Sequence, residues 1–423
     1  MLDQGEIPVR MSGGEAKPMH ILWLKSELLH PVDKGGRIRT YQTVRALART
    51  HRVTYLTLDD GQAAPNALEL AKEYAQEIVT VPFKSPAKMT PAFFADLARN
   101  VASRLPYAVG KYRSKKFEKE IRRLAPTVDV VVCDFLAPAC NVPKKLPVPV
   151  VLFQHNVEAE IWRRHYEVAK HPVKRAYFRN QYKRMLRFEK EACNRFDHVI
   201  AVSEQDAELM KKDYGTTRVT AQPTGVDIDF FKPQPDAKRV PNELVFLGSM
   251  DWLPNEDGVG WFADEIFAKL KAKSPEAKLK IVGRNPSAKV KKLAEIPGIE
   301  VTGTVPDVRE YLAKSAALVV PLRIGGGTRL KIYEAMAMGI PVVSTTVGAE
   351  GLPLEPNEHF LKADDPESFA AACAKVIADP AAAAAMGTRG ADYVRARFGW
   401  DGVAAQFAEV CRRAAGGSSA RVR

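Results

Sequence analysis

Short β-branched runs alternate with helical patterns along this chain, and the alternation starts twice. In the first half Ile21–Leu24, Val53–Leu58, Ile78–Val81, Val128–Cys133, Val148–Phe153 and His198–Val202 read as strands. Between the first two, Ile38, Tyr41, Val44 and Leu47 recur at the spacing of one helix face. The runs are apolar almost throughout, as strands covered by helices on both faces must be. After a Pro-rich stretch, Lys232–Pro241, the pattern resumes with Leu244–Leu247, Lys278–Val282, Ile299–Thr302, Leu318–Pro321 and Val342–Thr345. Two doubly wound parallel α/β domains are therefore predicted, with a cleft where the carboxyl ends of their strands face each other.

Length agrees, since 423 residues exceed what one core ordinarily serves. The divisions read as a tail over 1–18, a first domain over 19–221, a second over 222–397, a terminal helix over 398–414 able to pack on either domain, and a tail over 415–423. No apolar run approaches the roughly 18 residues of a spanning helix, and the amino-terminal stretch lacks the apolar core of an export signal. Five cysteines without metal-ligand spacing suit reduced thiols. A soluble, cytoplasmic protein is expected. The formal charge of +13 points to an anionic partner without naming it.

Chemistry concentrates in Gly325-Gly326-Gly327-Thr328-Arg329-Leu330-Lys331-Ile332-Tyr333-Glu334. Three glycines after a strand let backbone amides approach a ligand, and the helix that follows turns its positive end toward it. Arg329 and Lys331 oppose that dipole, so an anionic ligand is expected to compensate. Glu334 and Lys331 are the only charges from Leu330 to Val343. The carboxylate either pairs with Lys331 three residues away or accepts hydroxyls of a ligand.

With these residues the chain resembles the retaining glycosyltransferases of family 4, which have the GT-B fold. The resemblance runs from Met19 to about Arg413. It is carried by Gly35-Gly36, Gln154-His155-Asn156, Phe196–Ser203, Pro223-Thr224-Gly225-Val226-Asp227 and Glu334–Gly339 followed by Pro341-Val342-Val343, in that order. It implies transfer of a sugar, with retention, from a nucleotide-diphosphate-sugar to an acceptor hydroxyl, with no metal or other cofactor. Glu334 would bind the nucleotide ribose and His155 approach the donor sugar. Gly35 and Gly36 would lie beside the phosphates, and Gly283, Arg284 and Val305 would hold the base. The diphosphate would rest on Gly325, Gly326, Gly327 and Thr328, with Arg329 and Lys331 as its cations.

Two departures qualify the resemblance. Gly326 stands where the family's first motif glutamate falls, and Gly248–Asn255 lacks the Arg and Lys that many members place after that strand. Such variants resemble a subgroup linked to bacterial exopolysaccharide assembly. The rival functions are a nucleotide-sugar epimerase on the same fold and a non-catalytic binding module. Asp227-Ile228-Asp229 is read as a turn and not as a metal motif.

Two basic stretches remain. Lys111–Arg123 holds seven Lys/Arg and Arg163–Lys190 holds ten. In the second, Phe178, Tyr182, Met185 and Leu186 share one helix face. Contact with an anionic membrane surface or a lipid-phosphate acceptor is expected of them, peripherally on the inner face of the plasma membrane, and nucleic acid is not.

Overall fold

A computed structural model describes residues 17–32, 35–61, 63–84, 86, 89–169, 171–324 and 329–418. Seven strands form the first sheet: β1 (His20–Lys25), β2 (Arg52–Asp59), β3 (Glu77–Pro82), β4 (Val130–Asp134), β5 (Val150–Phe153), β6 (His198–Ala201) and β7 (Val219–Ala221). They lie in the order β3-β2-β1-β4-β5-β6-β7, and every pairing is parallel. The second sheet holds β8 (Val240–Leu247), β9 (Lys278–Val282), β10 (Ile299–Gly303), β11 (Ser315–Val320), β12 (Val342–Ser344) and β13 (Leu361–Lys362). Its order is β10-β9-β8-β11-β12-β13. In each sheet the winding reverses beside the first strand, between β1 and β4 and between β8 and β11. Such a reversal opens a crevice at the carboxyl ends of the two strands, where ligands of open α/β sheets bind.

The period-two logic of a strand is visible in β1. Leu22 and Leu24 face one apolar cluster while Ile21 and Trp23 face the other. In β4, Val131 and Cys133 join the first cluster and Val130 and Val132 the second. One further cluster, from Val226 to Phe398, fills the second domain.

Seven helices bear on function: α1 (Gly35–Ala48), α2 (Pro91–Val101), α3 (Glu158–Val168), α4 (Pro172–Arg195), α5 (Glu204–Leu209), α6 (Leu330–Ala337) and α7 (Trp400–Ser418). The last returns to the first domain. Its Phe407 ring stacks on Trp23 with centroids 5.4 Å apart, and Ala404, Ala408 and Cys411 complete that core. The outgoing and returning segments run side by side, with the Val226 amide donating to the Phe398 carbonyl at 2.7 Å. A Cβ on Gly225 would stand 2.7 Å from the Trp400 ring, so only glycine lets the two segments touch.

Three expectations need correction. α1 begins at Gly35 itself, so both glycines lie in its first turn and not in a preceding loop. The terminal helix extends to Ser418, so 415–418 is helix and not tail. Edge strands β7 and β13 have no counterpart among the strands expected from the sequence.

Candidate active site

The crevice of the first sheet holds a buried polar network. Lys25 ends β1 and Asp134 ends β4, each a charge closing an otherwise apolar strand. The Lys25 Nζ donates to Asp134 Oδ1 at 2.6 Å and to Thr40 Oγ1 at 3.0 Å. The Thr40 hydroxyl and the Trp23 indole N–H donate to Asp134 Oδ2 at 2.7 and 2.9 Å. His155, just past β5, joins through Nε2 at 2.8 Å from Asp134 Oδ1. Burial alone would raise the Asp134 carboxyl, but the Lys25 charge and the bonds from Lys25 and His155 hold it well below the usual range. Burial, with the charges of Lys25 and Arg39 added, pushes His155 down to about 4 against the pull of Asp134.

The imidazole is therefore neutral near pH 7. A carboxylate can only accept, so Nε2 carries the proton and Nδ1 keeps its lone pair. That nitrogen faces α1, where a Cβ on Gly36 would stand 3.8 Å from it. The ring is clamped between Phe135 and Phe153, with centroids 5.4 and 4.7 Å away. Two further groups fix the segment. Arg39 donates to the carbonyls of Gln154 and Gln222 at 3.1 and 2.8 Å. Glu189 of α4 accepts from Gln154 Nε2 at 2.9 Å and from the first amides of α3, those of Glu158 and Ala159, at 2.9 and 2.8 Å. The carboxylate thus caps α3 from a distant helix.

The crevice of the second sheet is lined by the remaining candidates. A Cβ on Gly283 would fall 1.6 Å from the Gly248 carbonyl oxygen, so the turns after β8 and β9 interlock only through glycine. Arg284 then donates from Nε to Ser249 Oγ at 3.0 Å, bringing a guanidinium into the turn after β8. Val305 packs against the second core.

α6 divides its charges. Lys331 lies over the Phe246 ring at 4.3 Å and donates to Asn255 Oδ1 at 3.0 Å. The expected alternative, a Lys331–Glu334 ion pair, does not form. Glu334 is half-buried, and no hydrogen bond or ion pair within the described residues reaches its carboxylate. Burial pushes that carboxyl up to about 7, against the pull of Lys331. Burial and the charge of Arg329 push Lys331 down to about 7. Arg329 is buried at the start of α6, donating to the Val347 carbonyl at 2.9 Å and lying 3.5 Å from Glu350. Gly325, Gly326, Gly327 and Thr328 lie outside the described residues.

The structure thus brings Gly36 and His155 together in one crevice, and Gly283, Arg284, Lys331 and Glu334 around the other. Among the described residues no hydrogen bond joins the two sets. Asp227 accepts from the Phe230 amide at 3.0 Å and closes a turn. Sequence reasoning does not single out Lys25, Thr40, Asp134 or Glu189. The one signal for two of them is a charge ending an apolar strand.

Two sheets of this topology with binding crevices at their reversal points define the GT-B class. A family model described as glycosyltransferase family 4 matches residues 34–230, and one described as glycosyl transferases group 1 matches 241–379. The chain belongs to the family 4 type of glycosyltransferases. It is 28% identical over 211 residues to the GDP-mannose-dependent alpha-(1-6)-phosphatidylinositol monomannoside mannosyltransferase of Mycobacterium tuberculosis, covering 45% of this chain and 54% of that one. It is 28% identical over 256 residues to D-inositol 3-phosphate glycosyltransferase 2 of Catenulispora acidiphila, covering 53% and 58%. The chain thus spans little more than half the length of these curated relatives. Among solved structures, sucrose-phosphate synthase from Thermosynechococcus elongatus superposes with a TM-score of 0.69 at 19% identity, covering 93% of this chain and 98% of that one. Anabaena HepE in complex with UDP superposes with a TM-score of 0.65 at 14% identity, covering 93% and 100%. These likenesses show the fold.

Proposed function

We propose that the chain transfers a sugar from a nucleotide-diphosphate-sugar to an acceptor hydroxyl, with retention at the anomeric carbon. The observation that carries this is Glu334, a half-buried carboxylate with no partner among the described residues, set on α6 where the second sheet reverses. A half-buried carboxylate without protein partners among the described residues is open to a ligand's donors, and two vicinal hydroxyls of a ribose would supply them. The diphosphate then lies at the start of α6, with Arg329, Lys331 and Arg284 as its cations and no metal required. Growing negative charge on the leaving diphosphate meets groups that are already oriented. His155 presents its Nδ1 lone pair to a hydroxyl of the donor sugar. HepE, a fold neighbour, binds UDP and the mycobacterial relative depends on GDP-mannose; both support a nucleotide-sugar donor.

The acceptor is lipid-linked or a polysaccharide, as in exopolysaccharide assembly, and the enzyme works in the cytoplasm on an anionic membrane surface. The support is α4, which exposes Lys174, Arg175, Arg179 and Lys183 with Val173 beside them. No single helix among the described residues is long and apolar enough to cross a membrane. The deciding experiment is calorimetry with UDP- and GDP-sugars on the wild type and Glu334→Ala. Each charge-assisted bond is worth roughly 1.5–3 kcal/mol, so loss of the pair weakens donor binding at least tenfold. Equal affinity in the variant would refute the ribose role.

A further inference from the structure

The first crevice carries a buried ion pair, Lys25 with Asp134, at 2.6 Å. The two residues close β1 and β4 and meet because those strands pair, Leu24 with Cys133. Charges taken out of water cost more in desolvation than such a pair ordinarily returns, and two packed apolar residues would close the strands at least as well. What the pair adds is direction.

The direction follows from the donors around the carboxylate. Lys25 has no lone pair, so Thr40 Oγ1 accepts from its ammonium and sends its own proton to Asp134 Oδ2. The Trp23 indole can only donate, and it reaches the same oxygen. Oδ1 takes the ammonium and the ring nitrogen Nε2 of His155. These partners occupy all the lone pairs that a carboxylate offers. Against burial, the Lys25 charge keeps that carboxylate ionised. It can therefore only accept, and Nε2 must donate.

The far side of the ring is fixed in consequence. Nδ1 holds a lone pair and no proton, and among the described residues no hydrogen bond reaches it. Phe135 and Phe153 pack against the ring, and exchanging its two nitrogens would break the bond to Asp134. The cations beside it are committed elsewhere, Lys25 to Asp134 and Thr40, and Arg39 to the carbonyls of Gln154 and Gln222. A ligand atom that meets Nδ1 must therefore bring a proton. A hydroxyl does so, whereas a carboxylate sets its own lone pairs and charge against that of the ring.

We propose that Lys25 and Asp134 are positioning residues that fix the proton of His155 on Nε2, so that a donor sugar is accepted where it turns a hydroxyl to the ring and refused where it turns a carboxylate. The sugar's part of this rests on the glycosyltransferase reading; the proton's part rests on the geometry alone. The test is nitrogen NMR of the full chain labelled at histidine, with the His155 ring assigned by its loss in His155→Phe. Beside it runs calorimetry with UDP-glucose and UDP-glucuronate or, where GDP is the nucleotide bound, with GDP-mannose and GDP-mannuronate. Wild type should carry the proton on Nε2 and bind the neutral sugar about tenfold or more tighter than the uronate. Lys25→Met combined with Asp134→Asn removes the pair together and strands no charge. The asparagine oxygen keeps Trp23 and Thr40, and its amide donates to Nε2. The proton should then move to Nδ1 and the preference shrink to about threefold or less. A pair that only stabilises the fold would leave the proton in place and lower both affinities alike. That result, a proton on Nδ1 in wild type, or equal affinity of wild type for the two sugars would overturn the proposal. Wild type that binds neither UDP nor GDP would refute the donor reading and the sugar preference with it, while the ring proton, read without ligand, decides the role of the pair separately.

Discussion

Glu334 shows how the ionisation of one side chain can weaken a fold. Burial raises its carboxyl to about 7, above the roughly 4.3 of an unfolded chain. The folded state therefore holds that proton more tightly than the unfolded state. The group's contribution to stability falls as pH rises through that interval, and the full penalty stands above 7. A pKa displaced by one pH unit corresponds to about 1.4 kcal/mol, and partial exposure leaves ~1–2 kcal/mol of penalty. Glu334→Gln should accordingly be more stable than wild type by that amount at pH 8 and equal to it at pH 4, by urea denaturation at the two values. A stability gain of the same size at both pH values would show that the carboxylate's ionisation is not the cause. Asp134 is the opposite case, a buried carboxylate fully supplied with donors, and removing Lys25 alone would strand its charge.

At the scale of elements, the turns after β8 and β9 depend on one glycine. Gly283→Ala places a methyl 1.6 Å from the Gly248 carbonyl oxygen, so the turns must separate, at a cost of ~1–3 kcal/mol. Nucleotide affinity should fall with stability, since the displaced turn carries Arg284. Gly402 is the control. A Cβ there meets nothing within 4 Å, and Gly402→Ala in the first turn of α7 should gain ~0.4–1 kcal/mol in the same denaturation experiment. α4 yields a prediction of another kind. Arg184 donates to the Asn100 carbonyl at 2.6 Å and Arg187 to the Arg104 carbonyl at 2.8 Å, so these two brace α4 rather than face a partner. Replacing Lys174, Arg175, Arg179 and Lys183 with glutamine should abolish co-sedimentation with anionic vesicles, each cation contributing about 1 kcal/mol. Binding that survives the fourfold change, or that is equal on neutral vesicles, would leave α4 a solvated face.

The same elements show what a sequence discloses. The long buried strands are legible because apolar runs bounded by turn residues have few other readings. β7 and β13 are not, being edge strands of three and two residues with no fully buried position to mark them. The end of α7 is hidden because Ala415–Ser418 has the composition of a tail, and helix propensity is a weak guide beside its continuation of a packed helix. Within the candidate site, Glu334 stands out in the sequence as a carboxylate in an apolar helix, and His155 through the motif around it. Lys25 and Asp134 are 109 positions apart, and nothing local distinguishes them from ordinary strand ends. Their pairing is a product of the strand order, in which β4 lies next to β1.

The whole molecule places its two crevices in different domains, joined by the paired segments around Gly225 and Gly399. On the proposed reading the transfer uses both, and the charge of a leaving diphosphate would be met at the start of α6. Burial holds Lys331 near 7, and an anionic ligand would raise it again, so binding the diphosphate should draw a proton onto that amine. With Arg329 at the start of α6 and Arg284 in the neighbouring turn, three cations and a helix dipole would, on that reading, bear on the departing charge. Such groups are oriented before the reaction and need no reorganisation during it. A divalent ion would be redundant there. Turnover should therefore be the same in excess EDTA as in buffer containing Mg²⁺ or Mn²⁺, measured as nucleotide diphosphate released from the donor that calorimetry identifies. Activity that is lost in EDTA and returns with either ion would move the burden of the leaving charge from these residues to a metal.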